Sequence, residues 1–132
     1  MTDGRIVIAI PDTPPSLNMF TKLHWAAQAR EKDQWQTRIR LECLKWKLPK
    51  DVGVVHATAI FRFPSKRRRD IGNFQSTLEK FTGDALQPDW LADDTHDRFT
   101  FSARISEEVG PKLTTIAFDY WHEQMPHPRL AA

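Results

Sequence analysis

The spacing of hydrophobic positions changes repeatedly along the chain, and each change predicts an element. RIVIAI, residues 5–10, is a short apolar run rich in β-branched residues and ended by Pro11, which predicts a strand. PDTPPSLNMF follows with three prolines and reads as a loop. From Trp25 to Lys47 the period becomes helical, because Trp35, Ile39, Cys43 and Trp46 recur at spacings of four, four and three before Pro49 stops the pattern. GVVHATAIFRF, residues 53–63, then alternates: Val55, Ala57, Ala59, Phe61 and Phe63 share one face, the period of a strand, until Pro64. Beyond Asp70, in the N-cap position, Ile71, Phe74, Leu78, Phe81 and Ala85 fall at i, i+3, i+7, i+10 and i+14, the clearest amphipathic helix in the chain. Gly83 weakens its last turn and Pro88 closes it. RFTFSARI (98–105) and LTTIAFDY (113–120) read as strands joined by the turn-like EEVGPK, which predicts an antiparallel hairpin with a loop longer than two residues.

The order β-α-β-α-β-β predicts an α+β fold, a mixed four-stranded sheet packed by two main helices. One domain is expected over residues 1–121, with 122–132, rich in proline and poor in anything to bury, as a flexible tail. A length of 132 residues with 40% apolar content, five Trp and eight Phe suits a single domain with a real core. The single cysteine, Cys43, excludes an internal disulfide, and its place on the apolar face of the first long helix predicts a core position. MTDGRIVIAIPDTPP has an acid at position 3 and only a short apolar run, which fits neither a signal peptide nor a membrane span. A soluble, intracellular protein is expected.

A net charge of +2 is too mild to imply a nucleic-acid partner, but its distribution is uneven. Arg62, Lys66, Arg67, Arg68 and Arg69 form a basic block, and Asp84, Asp89, Asp93, Asp94 and Asp97 form an acidic one soon after. A strand that ends in cations and turns straight into a helix N-terminus suits phosphate, because free backbone N–H groups and the helix dipole add to the arginine charge. A basic loop that only solvates the protein is the plainer alternative for such a run. Asp70 as an N-cap stabilises its helix by about 1 kcal/mol, reason enough for its presence. Asn73, Thr77, Lys80 and Asp84 form a polar stripe on that helix, either a working face or a solvated one. The adjacent Asp93 and Asp94 repel unless water or a cation separates them, and Mg²⁺ takes such oxygen ligands. His24, His56 and His96 are scattered and read as ordinary polar residues. No serine lies in a GxSxG context, and no GxxxxGK[ST] loop is present, so neither a serine hydrolase nor a nucleotide cofactor is expected.

PPSLNMFTKLHW, RRRDIGNF and DALQPDWLADD, taken together in order and spacing, resemble the RusA family of Holliday-junction resolvases over about Ile8 to Phe118. The resemblance implies a homodimeric, Mg²⁺-dependent endonuclease that nicks four-way junction DNA symmetrically in recombination and repair, in the cytoplasm of a bacterial or phage-infected cell. It implies catalytic roles for Asp70, Asp94 and Lys80, a metal site drawn from Asp70, Asp84, Asp93 and Asp94, and DNA contacts from Lys66, Arg67, Arg68, Arg69 and Asn73. Lys80 matches the family lysine counted back from Asp84, but counted forward from Asn73 it falls about one helical turn late. The chain also departs from the family pattern at Gly72, where a second aspartate is expected. A junction-binding protein without hydrolysis is therefore the alternative. For the dimer surface, Trp25, Trp35 and Trp46 are candidates, with core packing the expected use of at least two of them.

Overall fold

The computed structural model describes residues 2–123. Its elements run β1 (Gly4–Ile10), α1 (Leu17–Thr21), α2 (Trp25–Lys45), β2 (Val54–Arg62), α3 (Ile71–Leu86), β3 (Phe99–Ile105) and β4 (Leu113–Trp121). The predicted α+β order holds, with a short third helix added. The tail predicted to be flexible lies, from residue 124 on, outside the described residues.

Helix α1 occupies part of the segment expected to be a loop. The prolines stop just before it, and Ser16 caps it, with Met19 N–H donating to Ser16 Oγ at 3.2 Å. Helix α2 is capped in turn by His24, whose Nδ1 accepts from Ala26 N–H at 3.2 Å. It ends two residues earlier than expected because Lys47 adopts φ 60° and Leu48 N–H returns to the Cys43 carbonyl at 2.9 Å.

The sheet order is β1-β4-β2-β3. β4 runs antiparallel to both β1 and β2, whereas β2 and β3 are parallel and joined through α3, the crossover that parallel strands require. The predicted hairpin of the last two strands is therefore not formed. Their connection rides over the end of β2 instead: Ser106 N–H donates to Phe61 O at 2.7 Å, Gly110 N–H to Phe63 O at 3.1 Å, and Arg62 Nε to Pro111 O at 2.9 Å. The loop 106–112, pinned in this way to the end of β2, carries β4 to that strand's far side.

One core fills the space between the helices and one sheet face. Ile8, Ile10, Ala57, Phe61, Ile116 and Phe118 point into it from the strands, and Trp35, Ile39, Cys43, Leu78 and Phe81 meet them from α2 and α3. Cys43 takes the predicted core position, and burial pushes its thiol up to about 12, which removes it as a nucleophile at neutral pH. Of the three tryptophans Trp25, Trp35 and Trp46, only Trp35 is core; Trp25 is 75% and Trp46 52% exposed, because they sit at the ends of α2, beyond the sheet the helix covers. The expectation that at least two would be buried is corrected accordingly.

Candidate functional site

Helix α3 carries Asn73, Thr77, Lys80 and Asp84 and is capped by Asp70. Asp70 Oδ1 accepts from Gly72 N–H at 3.0 Å and so caps the helix as expected. At the other end, Arg40 of α2 donates to the carbonyl of Ala85 at 3.1 Å, placing a cation at the negative end of the helix.

The expected polar stripe does not form one solvated face. Thr77 is buried, and its hydroxyl donates to the Pro15 carbonyl at 2.6 Å, which fastens the PPS segment onto α3. Phe20 packs edge-on against Phe81 at 5.5 Å between ring centres and completes that junction. Asn73 is half-buried on the first turn. Asp84 is held by two lysines, Lys32 Nζ at 2.8 Å and Lys80 Nζ at 3.4 Å.

The open stripe lies one residue over. Gly72, Ser76 and Glu79 are exposed and follow one another at i, i+4 and i+7, with the buried Gly83 next in line at i+11, and Ser76 Oγ donates back to the Gly72 carbonyl at 2.8 Å. Buried Trp90 and Leu91 anchor the loop that follows α3; Trp90 Nε1 donates to Leu48 O at 2.9 Å, and the chain then runs back along the helix. It brings Asp94 against Gly83, where a Cβ would meet Asp94 Oδ2 at 3.0 Å. Ser76, Glu79, Lys80, Asp94, His96 and Phe99 line an open depression of about 420 Å³.

Two expected members of the site are elsewhere. Asp93 turns away into its own loop: its Oδ1 accepts from Thr95 N–H at 3.1 Å and from the Thr95 hydroxyl at 2.6 Å, and its Oδ2 pairs with Arg98 Nε at 3.3 Å. The Thr95 hydrogen bonds hold the Asp93 carboxyl below the usual carboxylate range, with Arg98 adding to the effect. Asp70 and Asp94 stand at opposite ends of α3. From Asp70 to Gly83 the helix advances about 20 Å along its axis at 1.5 Å per residue, and Asp84 lies one residue beyond. The four carboxylates therefore do not converge on one ion, and no group of three or more His, Cys, Asp or Glu side chains among the described residues is arranged to hold a metal. The donor set with the right chemistry is smaller. Mg²⁺ takes one or two carboxylates and completes its shell with water and phosphate oxygens, and Asp94 with Glu79 on one depression fits that mode.

The basic loop divides as well. Lys66, Arg67 and Arg68 are exposed. Arg69 instead folds back on the loop, donating to the Ser65 carbonyl at 2.9 Å and the Arg67 carbonyl at 3.1 Å, with its guanidinium 4.0 Å above the Phe63 ring. Its role is to shape the loop that presents the other three.

Ser76, Glu79 and His96 were not among the expected site residues. The first two share a helical face with Gly83 by spacing alone, so their grouping was legible; His96 joins them only through the path of the loop. No family model matches the sequence, and no curated protein matches it. Among the described residues no helix is long and apolar enough to cross a membrane.

Proposed function

We propose that the chain is a Mg²⁺-dependent, structure-specific endonuclease that resolves four-way DNA junctions as a homodimer, with its working site centred on Asp94 and Lys80. The observation that carries the reading is that one helix joins the parts such an enzyme needs. The N-terminal end of α3 follows the exposed cations Lys66, Arg67 and Arg68, and its later turns present Lys80 and Glu79 beside Asp94. The resemblance of the three motifs to RusA resolvases gives this arrangement its substrate.

In this reading Lys66, Arg67 and Arg68 hold the backbone of one junction arm, and their contribution falls steeply with salt as counterions are released. Lys80, steered by Asp84, faces the scissile phosphate and offsets charge that grows on it. Asp94 and Glu79, which line one depression, would hold the metal. Mg²⁺ bound there would supply positive charge to the phosphate and lower the pKa of a bound water. His96 lines the same depression.

The test is cleavage of a synthetic four-way junction with and without Mg²⁺. Paired nicks that require the metal and disappear in Asp94→Asn are expected. A junction left intact across a wide range of Mg²⁺ and Mn²⁺ concentrations would overturn the enzymatic reading. It would favour the second one, a junction-binding protein without hydrolysis, for which the specific observations are Gly72 and the dispersed carboxylates.

A further inference from the structure

Most of the exposed large apolar side chains lie on the helices, and four of them, Leu17, Met19, Leu23 and Trp25, fall close together around the junction of α1 and α2. Met19 is 61% and Trp25 75% exposed, although both gain by burial. The same stretch is free of negative charge. In a chain with 17 aspartates and glutamates, residues 13–30 hold none, while Lys22 and Arg30 add two cations. Exposed apolar surface with only positive charge about it suits a partner that is flat, apolar and negatively charged at once, which describes a nucleobase on its phosphate backbone.

Trp25 is placed for such a contact. Lys32, Gln36, Ile39 and Cys43 follow it at i+7, i+11, i+14 and i+18, so it continues the inner stripe of α2 but projects past the sheet. Lys32, about 10 Å along the helix from it, reaches Asp84 at 2.8 Å, and Asp84 also holds Lys80 at 3.4 Å. His24 lies against the Trp25 ring at 5.4 Å between ring centres and is itself fixed by the bond its Nδ1 accepts from Ala26 N–H at 3.2 Å. A tryptophan held in this way loses little freedom on binding. Met19, for its part, lines an open depression of about 520 Å³ together with Arg67, Arg69 and Lys112. The acids of that depression are Asp12, paired with Arg38 at 3.1 Å, and Glu31. The apolar patch therefore adjoins both the basic loop and Lys80.

We infer that Trp25 stacks on a DNA base that is unpaired or has lost a neighbour in its stack, with Met19 and Leu23 beside it and with Lys22 and Arg67 on the adjoining phosphates. This contact rests on the junction reading proposed above and supplies a group that tells a branched substrate from a plain duplex. A duplex keeps its base faces inside the stack and presents none to an aromatic ring, whereas base faces can open where arms meet. A second copy is the poorer occupant, since a two-fold pairing through this patch would set Lys22 and Arg30 of each copy against a surface with no acid to meet them.

The experiment is a titration of the full chain, without Mg²⁺, with single-stranded oligothymidine, a blunt duplex and a synthetic four-way junction, read by tryptophan fluorescence and by anisotropy of the labelled DNA. Oligothymidine and the junction are expected to quench the parent's tryptophan emission, and the duplex to leave it nearly unchanged. Trp25→Ala is expected to lose that quenching and about tenfold in affinity for oligothymidine, with the slope of log affinity against log salt unchanged because no charge is removed. Trp25→Phe should keep most of the affinity, and Trp46→Ala, at the other end of α2 about 30 Å away, should bind like the parent. Equal affinity in the parent and Trp25→Ala, or quenching by the duplex as strong as by oligothymidine, would overturn the inference. So would a change in emission on concentrating the protein without DNA that is absent from Trp25→Phe, which would give the patch to a second copy. A parent that binds neither junction nor duplex would overturn the junction reading along with this contact, whereas junction binding with an unchanged tryptophan signal would overturn the contact alone.

Discussion

Asp94 rests against Gly83 so closely that a single added methyl group would sit 3.0 Å from its Oδ2 and 3.2 Å from its Cβ. The glycine that weakens the last turns of α3 is therefore what lets the aspartate loop approach the helix. Gly83→Ala is expected to gain helix propensity of about 1 kcal/mol and to lose it again in displacing the loop. The melting temperature should change little, while junction cleavage falls by about tenfold or more, since small misplacements of a working group have large kinetic effects. Equal activity in the two proteins would show that the position of Asp94 does not matter. Gly72→Ala is the control, because a Cβ there meets only Asp70 Oδ1, at 3.3 Å.

The basic loop should split by mutation as it does in structure. Arg67→Ala and Arg68→Ala remove exposed cations and are expected to leave thermal stability unchanged. Each should reduce the slope of log affinity against log salt by about 0.9 for every phosphate that the arginine neutralises in the parent. Arg69→Ala also removes the hydrogen bonds to Ser65 and Arg67 and the packing on Phe63, so it alone should lower the melting temperature. Fluorescence anisotropy with labelled junctions at several salt concentrations, beside thermal melts, separates the two behaviours. Identical slopes in parent and variants would remove the loop from the DNA interface.

Asp93 gives the acid side of the stability profile a definite sign. Its carboxyl is held below the ordinary range when folded, so its contribution is present above the unfolded value, near 3.9, and is lost as pH falls through the lower folded value. Asp93→Asn removes that dependence. The melting temperatures of parent and variant are expected to differ at neutral pH and to converge in acid below about pH 3.9. A difference that stays constant from neutral to acid pH would mean that the Thr95 and Arg98 contacts do not favour the ionised form.

The parts of the molecule that could be read from sequence are those with a local cause. Asp70 ahead of an apolar period announces α3, and the alternation from Val55 to Phe63 announces β2, because each pattern records which side of its own element is buried. The pairing of β3 with β2 leaves no such trace: the final two strands look the same whether they form a hairpin or flank a third strand, and the difference lies in the hydrogen bonds that Ser106, Gly110 and Pro111 of the intervening loop make with the end of β2. The site was legible to one residue of helical phase. Polarity picked the stripe holding Asn73, Thr77, Lys80 and Asp84, but Thr77 is polar in order to bind Pro15 under cover, and the neighbouring stripe begins at exposed Gly72 and ends at buried Gly83, which polarity ignores. The resemblance to RusA resolvases also implied that Asp70, Asp93 and Asp94 belong together. The length of α3 keeps the first apart from the others, and Thr95 and Arg98 turn Asp93 away from Asp94.

Gly72 is where the enzymatic and binding readings diverge most sharply under test. It lies on the open stripe with Ser76 and Glu79, exposed, and its Cβ direction is free except for Asp70 Oδ1 at 3.3 Å. Gly72→Asp would therefore set a second carboxylate beside the capping one without entering the core. Near a helix N-terminus the new charge is favoured by the dipole, by about 0.3–1 kcal/mol, but it is opposed by Asp70, and a divalent cation relieves that repulsion. Mg²⁺ is thus expected to raise the melting temperature of Gly72→Asp more than that of the parent. An inert parent that gains cleavage in this variant would identify the chain as a binding protein one ligand short of a nuclease. A parent that already cleaves, with the variant changing only its metal requirement, would place the working carboxylates at Asp94 and Glu79. A variant that neither binds Mg²⁺ more tightly nor changes cleavage would remove the Asp70 end of α3 from metal chemistry and leave it the task of capping the helix.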